Sequence, residues 1–129
     1  MENKEKYIIM ANLRKVFLRS KVRKEAKQKY KVGPSTHICC NCGVYVYSGS
    51  KTLEKHLINF ELPDNTEIIK GKTDIDHKVE IGTFIDWNTF IDKLFCNIDN
   101  LQCLCQDCHK IKSKKSTKVR AANRKKKIN

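Results

Sequence analysis

Two stretches of this chain carry residue types able to do chemistry: HICCNCG at residues 37–43 and LQCLCQDCHK at residues 101–110. Each contains the spacing C-x-x-C, at Cys39/Cys42 and at Cys105/Cys108. That spacing turns two thiolates onto one ion, and two such pairs supply the four soft ligands of a tetrahedral structural Zn2+ site. Gly43 follows the first pair, as a tight turn requires. Sixty-two residues separate Cys42 from Cys105, so a shared ion would close a long loop. A site filled by four thiolates has no open position, so such an ion holds structure and performs no reaction.

The remaining cysteines and histidines are then sorted against that site. Cys40 competes with Cys39 for a ligand position through the less usual C-x-C turn, while Cys96 and Cys103 read as small buried apolar residues. His37 and His56 have no partner pattern and read as ordinary histidines. His109, directly after Cys108, has no place on a filled ion. A second group lies in the same segment: Asp76-His77 in TDIDHKVE, and Asn100 nine residues before His109. On a strand, neighbouring side chains point to opposite faces, so Asp76 and His77 approach one site together only where the strand ends.

The succession Cys39-x-x-Cys42, Asp76-His77, Asn100-Leu101-x-x-Leu104-Cys105-x-x-Cys108-His109 and the lysines from Lys110 to Lys115 resembles the HNH endonuclease family. The resemblance spans about residues 37–116, and the basic stretch before the first cysteine turn is similar to that of small stand-alone phage-type members. It implies a ββα-metal (His-Me finger) core that hydrolyses DNA phosphodiester bonds, nicking one strand per site. By the same resemblance, His77 is the general base that deprotonates water, and Asp76 and His109 are the ligands of one catalytic divalent ion (Mg2+, Mn2+ or Ni2+). Asn100 is the residue that orients His77. Double-stranded DNA is the implied partner, with terminase or other packaging proteins as further partners through the phage-type likeness. The bland alternative treats Asp76-His77 as incidental and Asn100 as a turn cap. The chain is then a non-catalytic zinc-ribbon module that binds nucleic acid.

Charge agrees with a polyanionic partner under either reading. The 129 residues carry a net charge of +13. Residues 1–36 hold 11 Lys/Arg against 3 acids, and residues 110–129 hold 10 Lys/Arg and no acid. Residues 37–109, with every cysteine and histidine, hold 6 Lys/Arg against 11 acids. Two basic arms thus flank an acidic middle, which favours nucleic acid over membrane. No secretory or membrane-spanning run is evident, since YIIM (7–10) is only four residues long. A reducing, cytoplasmic location of a bacterial or phage-infected cell is the expectation, and there C-x-x-C pairs bind metal more often than they form disulfides.

The elements that must position these residues read as an α+β domain. A basic N-terminal helical arm (1–36) precedes a nuclease domain with its zinc (37–117) and a basic tail (118–129) expected to be disordered without a partner. One helix is expected over 6–30, with Ile9, Leu13, Val16, Phe17 and Tyr30 inward and Gly33-Pro34 as its stop. Strands are expected at 44–47 and 74–82, and a short helix around TLEKHL. A further helix over 87–95 would carry Trp87, Phe90, Ile91 and Leu94 on one face. Residues 97–104 read as a loop or short strand leading to a helix that starts near Asp107. The polar stretch 43–73 fits no single element.

Overall fold

The computed structural model describes residues 2–128, with the side chains of residue 120 and residues 123–128 outside that description. In chain order the elements are α1 (Asn3–Leu18), α2 (Lys21–Lys29), β1 (Lys31–Gly33), β2 (Thr36–Ile38), β3 (Tyr45–Tyr47), α3 (Leu53–Ile58), β4 (Ile68–Lys70), β5 (Thr73–His77), α4 (Trp87–Leu94), a 3-10 turn (Ile98–Asn100), β6 (Leu101–Cys105) and α5 (Gln106–Ile128). The fold is mixed α+β with small sheets. It divides into two units: Met1–Tyr30 with Ile75–Gln102, and Lys31–Asp74 with Cys103–Asn129.

In the first unit the single helix expected over 6–30 is two helices. Ser20 breaks it, because its hydroxyl accepts the Arg23 N–H at 3.3 Å and caps the start of α2. A serine that can bond the backbone two or three residues ahead favours a helix start over a helix interior. The inward face of α1 also differs from expectation: Met10, Leu13 and Phe17 pack into the core, whereas Ile9 and Val16 are exposed. Positions 10, 13 and 17 follow helical spacing as well as 9, 13 and 16 do, so only packing decides between them. Helix α4 is capped by Asp86, which accepts the Thr89 N–H at 2.7 Å, and it buries Phe90 and Leu94 while Ile91 stays outside. Met10, Phe17, Ala26, Phe90, Leu94 and Leu101 form the core, with Trp87 and Cys96 half-buried against it. Tyr30 ends α2 by donating its hydroxyl to the Leu101 carbonyl at 3.2 Å.

In the second unit a four-stranded sheet runs β1-β2-β3-β4, with β1, β2 and β3 antiparallel and β4 parallel to β3. Gly33-Pro34 is therefore a hairpin turn between β1 and β2 and not the stop of a helix. The parallel pair needs a crossover, and α3, capped by Thr52, provides it. This β3–α3–β4 path is what the stretch 43–73 forms. Strand β3 is interior, and its adjacent residues Val46 and Tyr47 are both buried. Val46 packs with Cys39, Leu104 and Cys105. Tyr47 stacks on His56 with ring centroids 4.0 Å apart, and Phe60 covers the other face of His56 at 5.0 Å. The Thr36 hydroxyl donates to the Pro34 carbonyl at 2.8 Å and so accepts from His56 Nε2 at 3.0 Å. His56 is thus a satisfied core histidine.

Strands β5 and β6 pair with each other as a separate two-stranded sheet, and β6 runs directly into α5. The segment from residue 118, expected to be disordered without a partner, continues α5 through Ile128. Lys, Arg and Ala favour helix, and no glycine or proline follows Gly82 to stop it. No helix among the described residues is long and apolar enough to cross a membrane.

Candidate functional site

The four cysteines of the two C-x-x-C pairs come together. Cys39 follows β2, and its N–H donates to the Val44 carbonyl at 2.9 Å while the Gly43 N–H donates to the Cys39 carbonyl at 3.0 Å. Gly43 sits at φ +78°, a conformation that a side chain would strain. These bonds curl residues 39–44 so that the Cys39 and Cys42 thiols point the same way. Cys105 ends β6 and Cys108 lies in the first turn of α5, which supplies the second pair.

The ligand atoms of Cys39, Cys42, Cys105 and Cys108 all lie within 4.8 Å of one another, so the cluster can hold a metal ion. Cys42 Sγ and Cys105 Sγ are 3.8 Å apart. A tetrahedron of zinc–sulfur bonds has edges of about 3.8 Å. Asn41 adds an outer contact, donating Nδ2–H to Cys108 Sγ at 3.3 Å. The choice between Cys39 and Cys40 is settled in favour of Cys39. The Cys40 thiol instead accepts the Cys103 N–H at 3.4 Å, and the Cys40 N–H donates to the Cys103 carbonyl at 2.8 Å. Cys103 is fully buried, as expected.

Electrostatics within the cluster are uneven. Burial opposes the Cys39 thiolate, but the backbone N–H groups of Cys42, Cys105 and Asn41 together outweigh it and lower its pKa to about 6. At Cys42 the Val44 backbone favours the thiolate, yet burial and the neighbouring Cys39 and Cys108 sulfurs push the thiol up on balance. Burial, reinforced by Cys108, Cys39 and Cys42, pushes Cys105 up to about 12. Without a cation, Cys39 is held toward the thiolate while Cys42 and Cys105 are held toward the thiol, by burial and by the neighbouring sulfurs. A divalent ion removes that obstacle.

Asp76, His77 and Asn100 belong to the first unit, and His109 to the second. His77 closes β5, and its Nε2 meets the Leu94 carbonyl at 2.9 Å while Phe17 lies against the ring at 5.0 Å. A carbonyl only accepts, so Nε2 carries the proton, and the basic lone pair of the neutral ring sits on Nδ1. Asn100 acts on the backbone just beyond His77. Its Oδ1 accepts the Val79 N–H at 3.1 Å, its Nδ2 donates to the Val79 carbonyl at 3.4 Å, and the Lys78 N–H donates to its carbonyl at 2.7 Å. The expected contact from Asn100 to the His77 ring is thus replaced by a clamp on residues 78–79.

The carboxylate that meets His109 is Asp74, with Oδ2 3.3 Å from Nδ1. Asp74 was not singled out in the sequence, although the pattern D-x-D-H places it on the same strand face as Asp76. Asn41, inside the first cysteine turn, gave no sequence signal of its thiolate contact. Comparison with family models, with curated proteins and with solved structures finds no match to this chain.

Proposed function

We propose that this chain is a metal-dependent HNH endonuclease that nicks DNA by hydrolysing phosphodiester bonds. The observation that carries the reading is the run β5–β6–α5. It sets Asp76-His77 at the end of one strand and His109 in the first turn of the helix that follows the partner strand. In this reading Cys39, Cys42, Cys105 and Cys108 hold a structural Zn2+, which ties the base of α5 to the turn after β2.

His77 takes the proton of the attacking water on Nδ1, since the Leu94 carbonyl engages Nε2. Asn100 keeps the chain after His77 in place through Val79. Asp76 and His109 hold one Mg2+, Mn2+ or Ni2+ ion, and a carboxylate with an imidazole is a donor set that suits these ions. When bound, the ion stabilises charge on the phosphate and on the departing 3′-oxygen. Lys110, Lys112 and Lys114, together with the basic N-terminal arm, supply sequence-independent attraction to double-stranded DNA. Terminase or other packaging proteins are partners in this reading through the phage-type likeness alone.

A supercoiled-plasmid assay across Mg2+, Mn2+ and Ni2+ tests it. The wild type should convert plasmid to the nicked form. His77→Ala should lower the rate about 10²–10⁴-fold, with zinc content unchanged. A folded, zinc-loaded protein that binds DNA and nicks it with none of the three ions would instead be a non-catalytic zinc-ribbon module.

A further inference from the structure

His109 and Asp74 face each other within the second unit, both about half-exposed, at 38% and 47% of their side-chain surface. An exposed ion pair of this kind adds little to stability. Its geometry has a different consequence. Asp74 Oδ2 lies 3.3 Å from Nδ1 of His109, an ion-pair contact in which a neutral ring favours its proton on the nitrogen that faces the carboxylate. A neutral ring that donates from Nδ1 presents its lone pair at Nε2. Among the described residues nothing forms a hydrogen bond to that Nε2. Metal-ligating histidines characteristically give their second ring N–H to a carboxylate, which fixes the tautomer and raises the basicity of the coordinating nitrogen.

Both partners sit on regular elements. His109 follows the cluster residue Cys108 in the first turn of α5, and Asp74 lies in β5. Neither sits on a loop free to swing away. We infer that Asp74 is a positioning residue, which holds His109 as an Nε2 ligand for a hard divalent ion. The inference rests on the endonuclease reading and adds to it a residue outside the Asp76-His77-Asn100-His109 set.

The test uses the full-length protein with its zinc loaded, and Mn2+ as the probe ion. In ring ¹⁵N spectra without Mn2+, His109 (assigned by its loss in His109→Ala among the four histidines) should be the Nδ1–H tautomer. In Asp74→Ala it should shift toward the Nε2–H form, and Mn2+ affinity measured by electron paramagnetic resonance should fall about 10–100-fold. Asp74→Glu, which restores a carboxylate, should recover both readouts. Zinc content and helical circular dichroism should stay at wild-type values in each variant. The inference is overturned if Asp74→Ala leaves the tautomer and Mn2+ affinity unchanged while His109→Ala abolishes Mn2+ binding, and the endonuclease reading then survives. It is overturned along with that reading if the wild-type protein binds no Mn2+ and nicks no DNA.

Discussion

Cys39 and Cys105 show how much one residue's surroundings decide at the metal cluster. Both are buried thiols in the same group of four, yet backbone N–H groups hold Cys39 at about 6 while burial pushes Cys105 up to about 12. In the metal-free chain the depressed Cys39 favours folding above its ordinary 9.0, and that advantage is lost as pH falls through about 6. The raised Cys105 favours folding below 9.0, an advantage lost as pH rises toward about 12. At pH 8, Cys39 is therefore ionised while Cys42 and Cys105 keep their protons. Binding of Zn2+ at that pH should release at least two protons, one from each of these thiols, measurable by calorimetry in buffers of different ionisation enthalpy. A release below two would contradict coordination by all four sulfurs. On acidification below about 6 Cys39 also protonates, and zinc affinity should fall more steeply there.

Among the elements, the β1–β2 hairpin is held by an unusual stack. A Cβ on Gly33 would collide with the Phe60 ring. That ring in turn lies on His56, which lies on Tyr47. Gly33→Ala should therefore push Phe60 off His56 and destabilise the protein by about 1–3 kcal/mol, read from the midpoint of urea unfolding. The same change at Gly71, where the nearest atom is an ordinary contact with Val46 at 3.9 Å, should cost much less. Helix α5 carries the opposite lesson. It begins beside a packed cluster, where Cys108 lies against Cys39, Val46, Leu104 and Cys105, and then runs on through a lysine-rich sequence of good helix formers.

For the whole molecule, the important fact is that two separate hydrophobic clusters serve two units. The first gathers Met10, Phe17, Ala26, Phe90, Leu94 and Leu101, and none of these is a metal ligand. Among the described residues the second gathers Cys39, Val46, Leu104 and Cys105, two of them cluster thiols, with the Tyr47–His56 stack as a further buried group in the same unit. Such a small core needs a staple. Removing the metal with a chelator should therefore cost amide protection around Val46 and Leu104 in hydrogen exchange. Amides around Leu94 and Leu101 should keep more of theirs. Equal loss in both clusters would show that the ion supports the entire chain as one cooperative body. The charge of +13 belongs to this scale too, since it acts through summed fields and not through any one contact.

The cysteine spacing pointed to the two pairs that form the cluster able to hold a metal ion, because C-x-x-C is a local geometry that needs no knowledge of the rest of the fold. Helix α4 and the start of α5 were legible for the same reason, as periodicity and capping act over a few residues. The break at Ser20, the face of α1 that turns inward, and the β3–α3–β4 path through residues 43–73 were not legible. Each depends on which of two equally good local patterns finds a partner distant in sequence. Tertiary structure also decided between Cys39 and Cys40, by pairing Cys40 with the Cys103 backbone. It brought Asp74 to His109 across 34 intervening residues. No spacing rule reports a contact of that length, because strand register and helix start must both be set before the two side chains can meet.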